Sequence, residues 1–424
     1  MKKNLHKQSF LVLLLLLSAL PIFALERPFF NGYMGANGDL FSVSNDEDED
    51  NSFGGLGFGL QSYFSGQLDF SGIVFVRGEF YFQTGDLNKL GGFLTNPNDY
   101  NTRFKIQEFS ATYHRVGLNL THFLSIFLGE YESIGSDVFL QRQFGMAPIS
   151  SKLTTSWHGL NGAAVYPFYG IGASYILHFQ KPFATGVYGY YSLDKKAIQF
   201  DARFACTFAN FTFDAALGPK LNMSQTDSAG IAVILVINEM DIHGGFNMLF
   251  GNKNQNSLFL QFGGDLNINP SSTGVFSVNT PYFLIEPRFI LKQSELDFSV
   301  FHFPKTAIYD MTYLESLYDT TEIGVTGLDV CFSFDKLLFK KQIAVTMGVH
   351  LTGVLVDIWE INLKSGANFN SENFIPHIML TPYASLPLMG GTLTSSLNVN
   401  FSISEQPIEW DKFLTFSLGY VMQL

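Results

Sequence analysis

The end of the chain alternates between large apolar residues and small or polar ones. Residues 413–424 read FLTFSLGYVMQL, and every second position is large and apolar. These positions are Leu414, Phe416, Leu418, Tyr420, Met422 and Leu424. Successive side chains of a β-strand point to opposite faces, so the stretch predicts a strand with one apolar and one polar face. A strand of a soluble β-sandwich would show the same alternation, and this stretch alone does not separate the two.

The same pattern recurs along most of the chain. In 197–208, for example, Phe200 and Phe204 oppose Asp201 and Arg203. Many such stretches run ten residues or more, close to the roughly 9–11 that a tilted strand needs to cross a bilayer. We predict about twenty strands, near 29–43, 53–64, 68–83, 103–114, 119–130, 156–167, 170–180, 183–193, 197–208, 210–218, 228–237, 241–250, 257–268, 280–292, 294–303, 322–334, 343–356, 374–386, 391–403 and 412–424. The pattern thus predicts an all-β chain with an even strand number of about 18–20, within a range of 14–20.

The connections between these predicted strands differ in length according to parity. Long ones follow odd-numbered strands, near 84–102, 131–155, 304–321 and 357–373. Very short ones follow even-numbered strands, such as 65–67, 115–118, 168–169, 194–196, 293 and 387–390. The connections 181–182, 209 and 219–227 do not fit. Long connections on one rim and tight turns on the other are typical of a single up-and-down transmembrane β-barrel with its long loops outside the cell.

Composition supports a membrane protein of this kind. Only 15% of residues are charged, whereas 46% are hydrophobic and 16% aromatic; a soluble domain has about a quarter charged. No internal stretch reaches the 18 or so apolar residues of a spanning helix, so a closed barrel is the other way to satisfy the backbone in lipid.

The start of the chain indicates export. Lys2, Lys3 and Lys7 precede an apolar run over 10–20 and a small residue at Ala24, which predicts a signal peptide over residues 1–24 and a barrel over 25–424. Without these three lysines the net charge changes from −12 to −15. A strongly acidic chain argues against a nucleic-acid partner, which requires a basic surface.

The leader, the alternating strands, the loop parity and the apolar last residue together resemble the bacterial outer-membrane β-barrel proteins. In that superfamily the final residue is typically aromatic and is recognised by the barrel-assembly machinery, whereas here it is Leu424. The resemblance covers the whole mature chain and concerns architecture. It implies an outer-membrane location and contact with outer-membrane lipid, and it leaves open whether the barrel is a homo-oligomer.

If the apolar faces contact lipid, the charged residues of the opposite faces lie inside the barrel. These are Arg77, Glu79, Asp201, Arg203, Asp214, Asp265, Glu286, Arg288, Lys292 and Asp297. Interior charges of barrels coat a water-filled channel and set its selectivity, which makes these ten residues candidate pore-lining groups. The alternative is that they form ion-pair networks that brace a narrow or plugged lumen.

Other motifs give little support for catalysis, a metal or a cofactor. The acidic run 46–50 lacks the central Gly of an EF-hand and is expected to be a solvated loop. His350 and Thr352 share a strand face, which resembles the His and Ser pair of outer-membrane phospholipases, but Thr is a poorer nucleophile and no orienting acid can be assigned. No HExxH, CxxC or Gly-rich phosphate loop occurs. We therefore expect no enzyme, no metal site and no cofactor.

The first functional hypothesis is a porin-like channel for passive passage of small solutes. A second is a transporter of hydrophobic substrates similar to the long-chain fatty-acid transporters, whose resemblance would imply a plug of some forty residues before the first strand. Here an alternating strand begins within a few residues of Ala24, which leaves no room for one. A third is a surface protein whose long loops bind ligands.

Overall fold

The chain forms a closed antiparallel β-barrel in a computed structural model. The structure describes residues 29–42, 56–70, 72–84, 87, 103–156, 161–180, 182–222, 240–252, 255–269, 275–278, 281–309, 311–314, 317, 321–338, 343–362, 366–369, 376–402 and 414–424. The predicted signal peptide, the acidic run 46–50 and the predicted strand 228–237 lie outside the described residues.

The barrel wall consists of eighteen strands that follow one another in chain order. They are β1 (Phe29–Ser42), β2 (Leu56–Phe70), β3 (Val74–Gln83), β4 (Arg103–Val116), β5 (Leu120–Gly129), β6 (Gly170–Phe179), β7 (Phe183–Ser192), β8 (Ala197–Phe208), β9 (Phe211–Asn222), β10 (Met240–Phe250), β11 (Ser257–Asn269), β13 (Tyr282–Leu291), β14 (Ser294–Pro304), β15 (Gly324–Leu338), β16 (Ile343–Val356), β19 (Pro376–Leu388), β20 (Gly391–Ser402) and β21 (Leu414–Gln423). The short strand β12 (Val275–Val278) pairs with β11 beside β13, and β17 (Trp359–Asn362) pairs with β18 (Gly366–Phe369) in a separate hairpin.

The first and last strands close the ring. β1 pairs with β21 from Tyr33↔Gln423 to Phe41↔Thr415, while its other edge pairs with β2. Closure pairs both edges of the eighteen-stranded wall, which is what a β-structure in hydrocarbon requires. The predictions of an up-and-down barrel and of an even strand number of about 18–20 are confirmed, with eighteen strands in the wall.

One predicted strand is wrong. In the region 156–167, the described residues contain no strand, only an isolated bridge between Thr155 and Gly162. This region belongs instead to a connection that runs from 130 to 169, between β5 and β6. Its residues are apolar because they pack inside the barrel. The resulting sequence resembles that of a strand with one lipid-facing side.

With the false strand 156–167 removed and β9 paired directly with β10, long and short connections alternate along the chain. The turns 180–182 and 209–210 now fall on the same rim as 71–73, 117–119, 251–256, 292–293, 339–342 and 389–390, all of which are short. The opposite rim carries 43–55, 84–102, 130–169, 223–239, 270–281, 305–323, 357–375 and 403–413, with the four-residue turn 193–196 as its short member. We call these the short-turn rim and the long-loop rim.

The outer surface of the wall is apolar. Phe200, Phe204 and Leu328 are 51%, 44% and 60% exposed although they lie in the middle of long strands. Rings also form rows across neighbouring strands: the centroids of Phe64 and Phe80, and of Phe80 and Phe104, are each 6.3 Å apart. Such a surface is stable where hydrocarbon rather than water surrounds it.

None of the helices in the described part of the chain is long and apolar enough to cross a membrane. The described residues contain two short helices, both in connections on the long-loop rim: α1 (Val138–Phe144) and α2 (Lys305–Ile308). Their apolar residues, among them Phe139, Leu140 and Ile308, are almost fully buried within the barrel.

Candidate functional site

The connection 130–169, which we call the inserted segment, crosses the bore of the barrel. It leaves the wall at β5, yet the ammonium of Lys152 bonds Ser333 on β15 at 2.9 Å and Glu295 on β14 at 2.5 Å. Counted round the ring of eighteen strands, β15 is nine positions from β5 and therefore lies directly opposite it. The inserted segment therefore spans the full width of the barrel.

Arg203 on β8 anchors the first part of the inserted segment. Its guanidinium donates two hydrogen bonds to Asp214 on β9, at 2.8 and 2.5 Å, and a third to the backbone carbonyl of Glu132. The ring of Phe139 lies against the same guanidinium, 4.3 Å from ring centroid to Cζ. A paired cation with aromatic and carbonyl contacts holds helix α1 against the wall.

A second anchor holds the far end of the inserted segment against β13. Arg288 donates to Glu286 at 2.7 Å and to the carbonyl of Ile149 at 3.0 Å. Ser151 and Ser299 both donate to the other oxygen of Glu286, the latter at 2.6 Å. All four polar groups of this cluster are buried, and each ionised group has a partner, as burial of charge requires.

Between the two anchors, a glycine pair in the wall accommodates the inserted segment. Gly245 on β10 and Gly263 on β11 are register partners. A Cβ at Gly263 would lie 2.2 Å from Cγ1 of Val165, and one at Gly245 would lie 3.1 Å from the same atom. Any larger residue at Gly263 would collide with the valine, so these glycines create the notch that Val165 fills.

The turn at the start of α1 depends on a buried carboxylate. Oδ2 of Asp137 accepts the backbone N–H groups of Ile149 and Ser150, at 2.8 and 2.6 Å, and so ties the two ends of the α1 region together. Burial raises the pKa of Asp137 to about 6, although these hydrogen bonds act in the opposite direction. The carboxyl of Asp137 therefore changes charge state near neutral pH.

Arg142 at the end of α1 adds a third cationic contact to the wall. It bonds both carboxylate oxygens of Glu108 on β4, at 2.8 and 2.6 Å, and Glu132 at 3.2 Å. Despite burial, the two carboxylates keep the pKa of Arg142 above its ordinary value. This corner of the bore is thus a network of paired charges.

A second connection, 305–323, also extends into the bore from the long-loop rim. The hydroxyl of Tyr309 donates to Gln83 on β3 at 3.3 Å, across the bore from β14 where this connection begins. The ring of Tyr313 packs on His350 of β16, with centroids 4.2 Å apart. Met311 and Leu314 are fully buried beneath it.

Two cavities lie in the bore beside these connections, and polar side chains are among the residues that line them. One cavity lies between the inserted segment and strands β2–β4, with Gln61, Glu79, Lys105 and Glu130 in its lining. A second lies between the two connections and strands β16–β21 and β1. Its lining residues include Asn37, Lys152, Thr346, Tyr383, Ser396 and Ser417. Ser156 and Thr312 line both cavities, so the two are neighbours on one side of the inserted segment.

The fold can be compared with proteins of known structure. No protein-family model and no curated protein sequence matches the chain. Among solved structures, Pseudomonas aeruginosa OpdK with vanillate is 10% identical and matches over 93% of this chain and 98% of its own, with a TM-score of 0.50. A Rhodopseudomonas blastica porin triple mutant is 9% identical, with 94% and 100% coverage and a TM-score of 0.42. Salmonella typhi OmpF in complex with daunomycin is 11% identical, with 93% and 97% coverage and a TM-score of 0.43.

The chain shares its fold with Pseudomonas aeruginosa OpdK. At about a tenth identity this likeness concerns architecture, and it confirms the barrel that the alternation predicts. The roles of individual residues have to be argued from the bore itself.

Nine of the ten candidate pore-lining residues lie on the polar face of a wall strand, and all of those nine except Arg77 are buried. Arg203 with Asp214 and Glu286 with Arg288 form the two anchors. Asp201 contacts His243 at 2.5 Å, Asp265 contacts Lys220 at 3.4 Å, and Asp297 contacts Lys152 at 3.3 Å. Glu79 accepts a hydrogen bond from Tyr63 and lies 4.0 Å from Arg77.

Lys292 is placed differently from the other nine. It lies in the turn 292–293 between β13 and β14, on the short-turn rim, with a φ of 53° and an exposed side chain. The alternation of β13 ends one residue earlier, at Leu291, and the sequence pattern does not mark that end.

His350 and Thr352 are joined by an acid that sequence reasoning missed. Asp329 on β15 lies opposite Thr352 in the register, accepts from Thr352 at 2.6 Å and contacts Nδ1 of His350 at 2.9 Å. The hydroxyl of Thr352 thus donates to the acid rather than to the histidine, and all three side chains are buried. This arrangement lacks the nucleophile–base hydrogen bond that acyl transfer requires.

The functional residues that sequence reasoning missed are mainly those of the inserted segment. Glu130, Glu132, Arg142 and Lys152 are charged residues of this segment that contact wall residues. They occur in a connection with no alternation, so the sequence carries no signal that assigns them to the lumen.

Proposed function

We propose that this chain is a porin-like channel for passive passage of small solutes across the bacterial outer membrane. The observation that carries the proposal is the pair of neighbouring polar cavities beside the inserted segment, inside a closed wall with an apolar outer surface. A polar bore in an apolar shell lets water-soluble molecules cross without entering hydrocarbon.

The same proposal assigns the ends of the chain and its rims. Residues 1–24 are a signal peptide that is removed on export, and the long-loop rim faces the outside of the cell. The predicted pore-lining charges contribute through their ion pairs, which hold the inserted segment in place and so set the width of the passage. Contact with outer-membrane lipid and insertion by the barrel-assembly machinery follow from the location.

The alternative of a hydrophobic-substrate transporter receives less support. Residues 29–42 and 56–64, where a plug would have to begin, pair as strands β1 and β2 in the wall. Among the described residues the plug-like element is the inserted segment, and hydroxyl, amide and charged groups are among the residues that line the cavities beside it.

The channel proposal is tested by conductance of the refolded protein in planar bilayers. Lys105 lines the first cavity, is partly exposed and pairs with Glu130. We expect discrete conductance steps, and in Lys105→Gln a rise of roughly twofold in the cation-to-anion permeability ratio because Glu130 loses its cationic partner.

Lys292→Gln is the matched control for this experiment. It removes the same charge from the exposed turn 292–293, away from both cavities, and should leave the permeability ratio unchanged. Absence of conductance steps at any voltage, from protein that is folded by its heat-dependent mobility in gels, would contradict the proposal.

A further inference from the structure

The wall of the second cavity is built from uncharged hydrogen-bonding side chains. We call this surface the hydroxyl wall; it comprises Asn37, Thr346, Ser385, Thr394, Ser396 and Ser417. The strand register makes it continuous, since Thr346 pairs with Ser385 and Ser385 with Thr394, while Ser396 pairs with Ser417. Hydroxyl and amide groups both donate and accept, so this wall can replace the water around a solute that carries many hydroxyls.

Charge is scarce in the lining of this cavity. Among its described lining residues Lys152 is the only charged one, and its ammonium is already paired with Glu295 and Asp297. Asp39, next to Asn37 and Ser417, accepts a hydrogen bond from each of them. Asp335 likewise accepts a hydrogen bond from Thr346. Both carboxylates are thus bonded to lining groups, and neither is among the described lining residues of the cavity.

Aromatic rings stand at the edge of the hydroxyl wall. Tyr383 is the register partner of Ser396 and lines the cavity with Tyr313, their ring centroids 6.2 Å apart. A pyranose ring has apolar C–H faces and a periphery of hydroxyls, so a site that suits it combines ring faces with neutral donors and acceptors.

The arginines of the bore do not favour anionic solutes. Arg142, Arg203 and Arg288 are each bonded to a carboxylate and lie against the inserted segment, away from the hydroxyl wall. Recognition of a carboxylate normally uses a guanidinium with both N–H groups available. Arg77, on the polar face of β3, is not among the residues that line the second cavity either. Selection along this cavity is then left to the uncharged wall.

We infer that the hydroxyl wall with Tyr313 and Tyr383 is a binding track for neutral polyhydroxylated solutes, that is, sugars and short oligosaccharides. The inference rests on the proposed channel function and adds its solute class. Sugars exchange hydrogen bonds with water for bonds with the wall while they pass, and charged solutes of the same size gain no comparable contact.

The test is the interruption of single-channel current by a neutral trisaccharide, raffinose, compared with benzoate and choline as anionic and cationic probes. We expect raffinose to interrupt the current at the lowest concentration of the three. In the double variant Ser385→Ala/Ser396→Ala its apparent Kd should increase about fivefold or more, because each lost hydrogen bond weakens binding by roughly two- to tenfold.

The control is Ser62→Ala, which removes a hydroxyl from the outer face of β2 between Leu60 and Phe64 and should leave raffinose interruption unchanged. Open channels that raffinose does not interrupt, or that benzoate or choline interrupts more strongly, would overturn the inference while leaving the channel proposal intact. An unchanged Kd in the double variant would overturn it as well. Absence of open channels would instead contradict the proposed function.

Discussion

Replacing Arg203 by Met should destabilise the barrel and its inserted segment together. Arg203 is 3% exposed and Asp214 is 0% exposed, and the two share a bidentate ion pair at 2.8 and 2.5 Å. In Arg203→Met the carboxylate of Asp214 stays buried without its cation, which costs about 3–5 kcal/mol in the free energy of unfolding. The carbonyl of Glu132 also loses its hydrogen-bond donor, and the ring of Phe139 loses its contact with the guanidinium at 4.3 Å. The substitution therefore also weakens the attachment of the inserted segment to the wall.

Two further variants separate the ion pair from general damage. Arg203→Met/Asp214→Leu removes both charges, and because an apolar pair of similar volume is often as stable as a buried ion pair, it should recover most of the loss. Arg115→Met removes an arginine that is exposed at the end of β4 and should change the free energy by less than about 0.5 kcal/mol.

The assay is equilibrium unfolding in urea of protein refolded into lipid vesicles, followed by tryptophan fluorescence. Single-channel recordings of the same variants report the inserted segment, because a loosened segment should add conductance fluctuations that wild type lacks. An Arg203→Met variant within 1 kcal/mol of wild type, or a double variant as unstable as the single one, would refute the reasoning.

Two other predictions concern the inserted segment. Gly263→Val should prevent normal seating of the segment, because a Cβ there lies 2.2 Å from Val165, and the added change Val165→Gly should restore part of the stability in the same urea assay. Asp137, whose burial raises its pKa to about 6, binds more protons in the folded than in the unfolded state between pH 4 and 6, so stability should fall as pH rises through that window, by up to about 3 kcal/mol. Asp137→Asn should abolish that fall; a pH profile identical to wild type would show that another group is responsible.

The wall was predictable because a single physical rule governs it. One face of a wall strand contacts hydrocarbon and the other faces the bore, so Phe200 and Phe204 alternate with Asp201 and Arg203. The strand over 197–208 has the predicted bounds. The strand 343–356 also has them. Where the rule holds, a two-residue period is sufficient to place the strand and both of its faces.

The inserted segment was not predictable by that rule. Residues such as Ala163 and Val165 are apolar because they pack on the inner wall, and the predicted strand 156–167 mistook this burial for a lipid-facing stripe. The spacing of apolar residues indicates that they avoid water, but it does not indicate whether lipid or protein covers them. The partners of the segment, such as Ile149 with Arg288, are separated by more than a hundred residues, and no local signal relates them.

The position of the inserted segment explains where charged and uncharged side chains lie in the bore. An inserted segment that crosses from β5 to β15 must be held by wall groups on both sides, and the paired charges of Arg203 and Arg288 supply those contacts. Charges used in this way are desolvated and already neutralised, so they attract passing ions weakly. The wall formed by β19, β20, β21 and β1 borders the second cavity and can be lined there by hydroxyls without loss of stability. In this barrel Arg203 and Arg288 hold the inserted segment. We therefore expect the second cavity to discriminate solutes by hydrogen bonding and shape more than by charge.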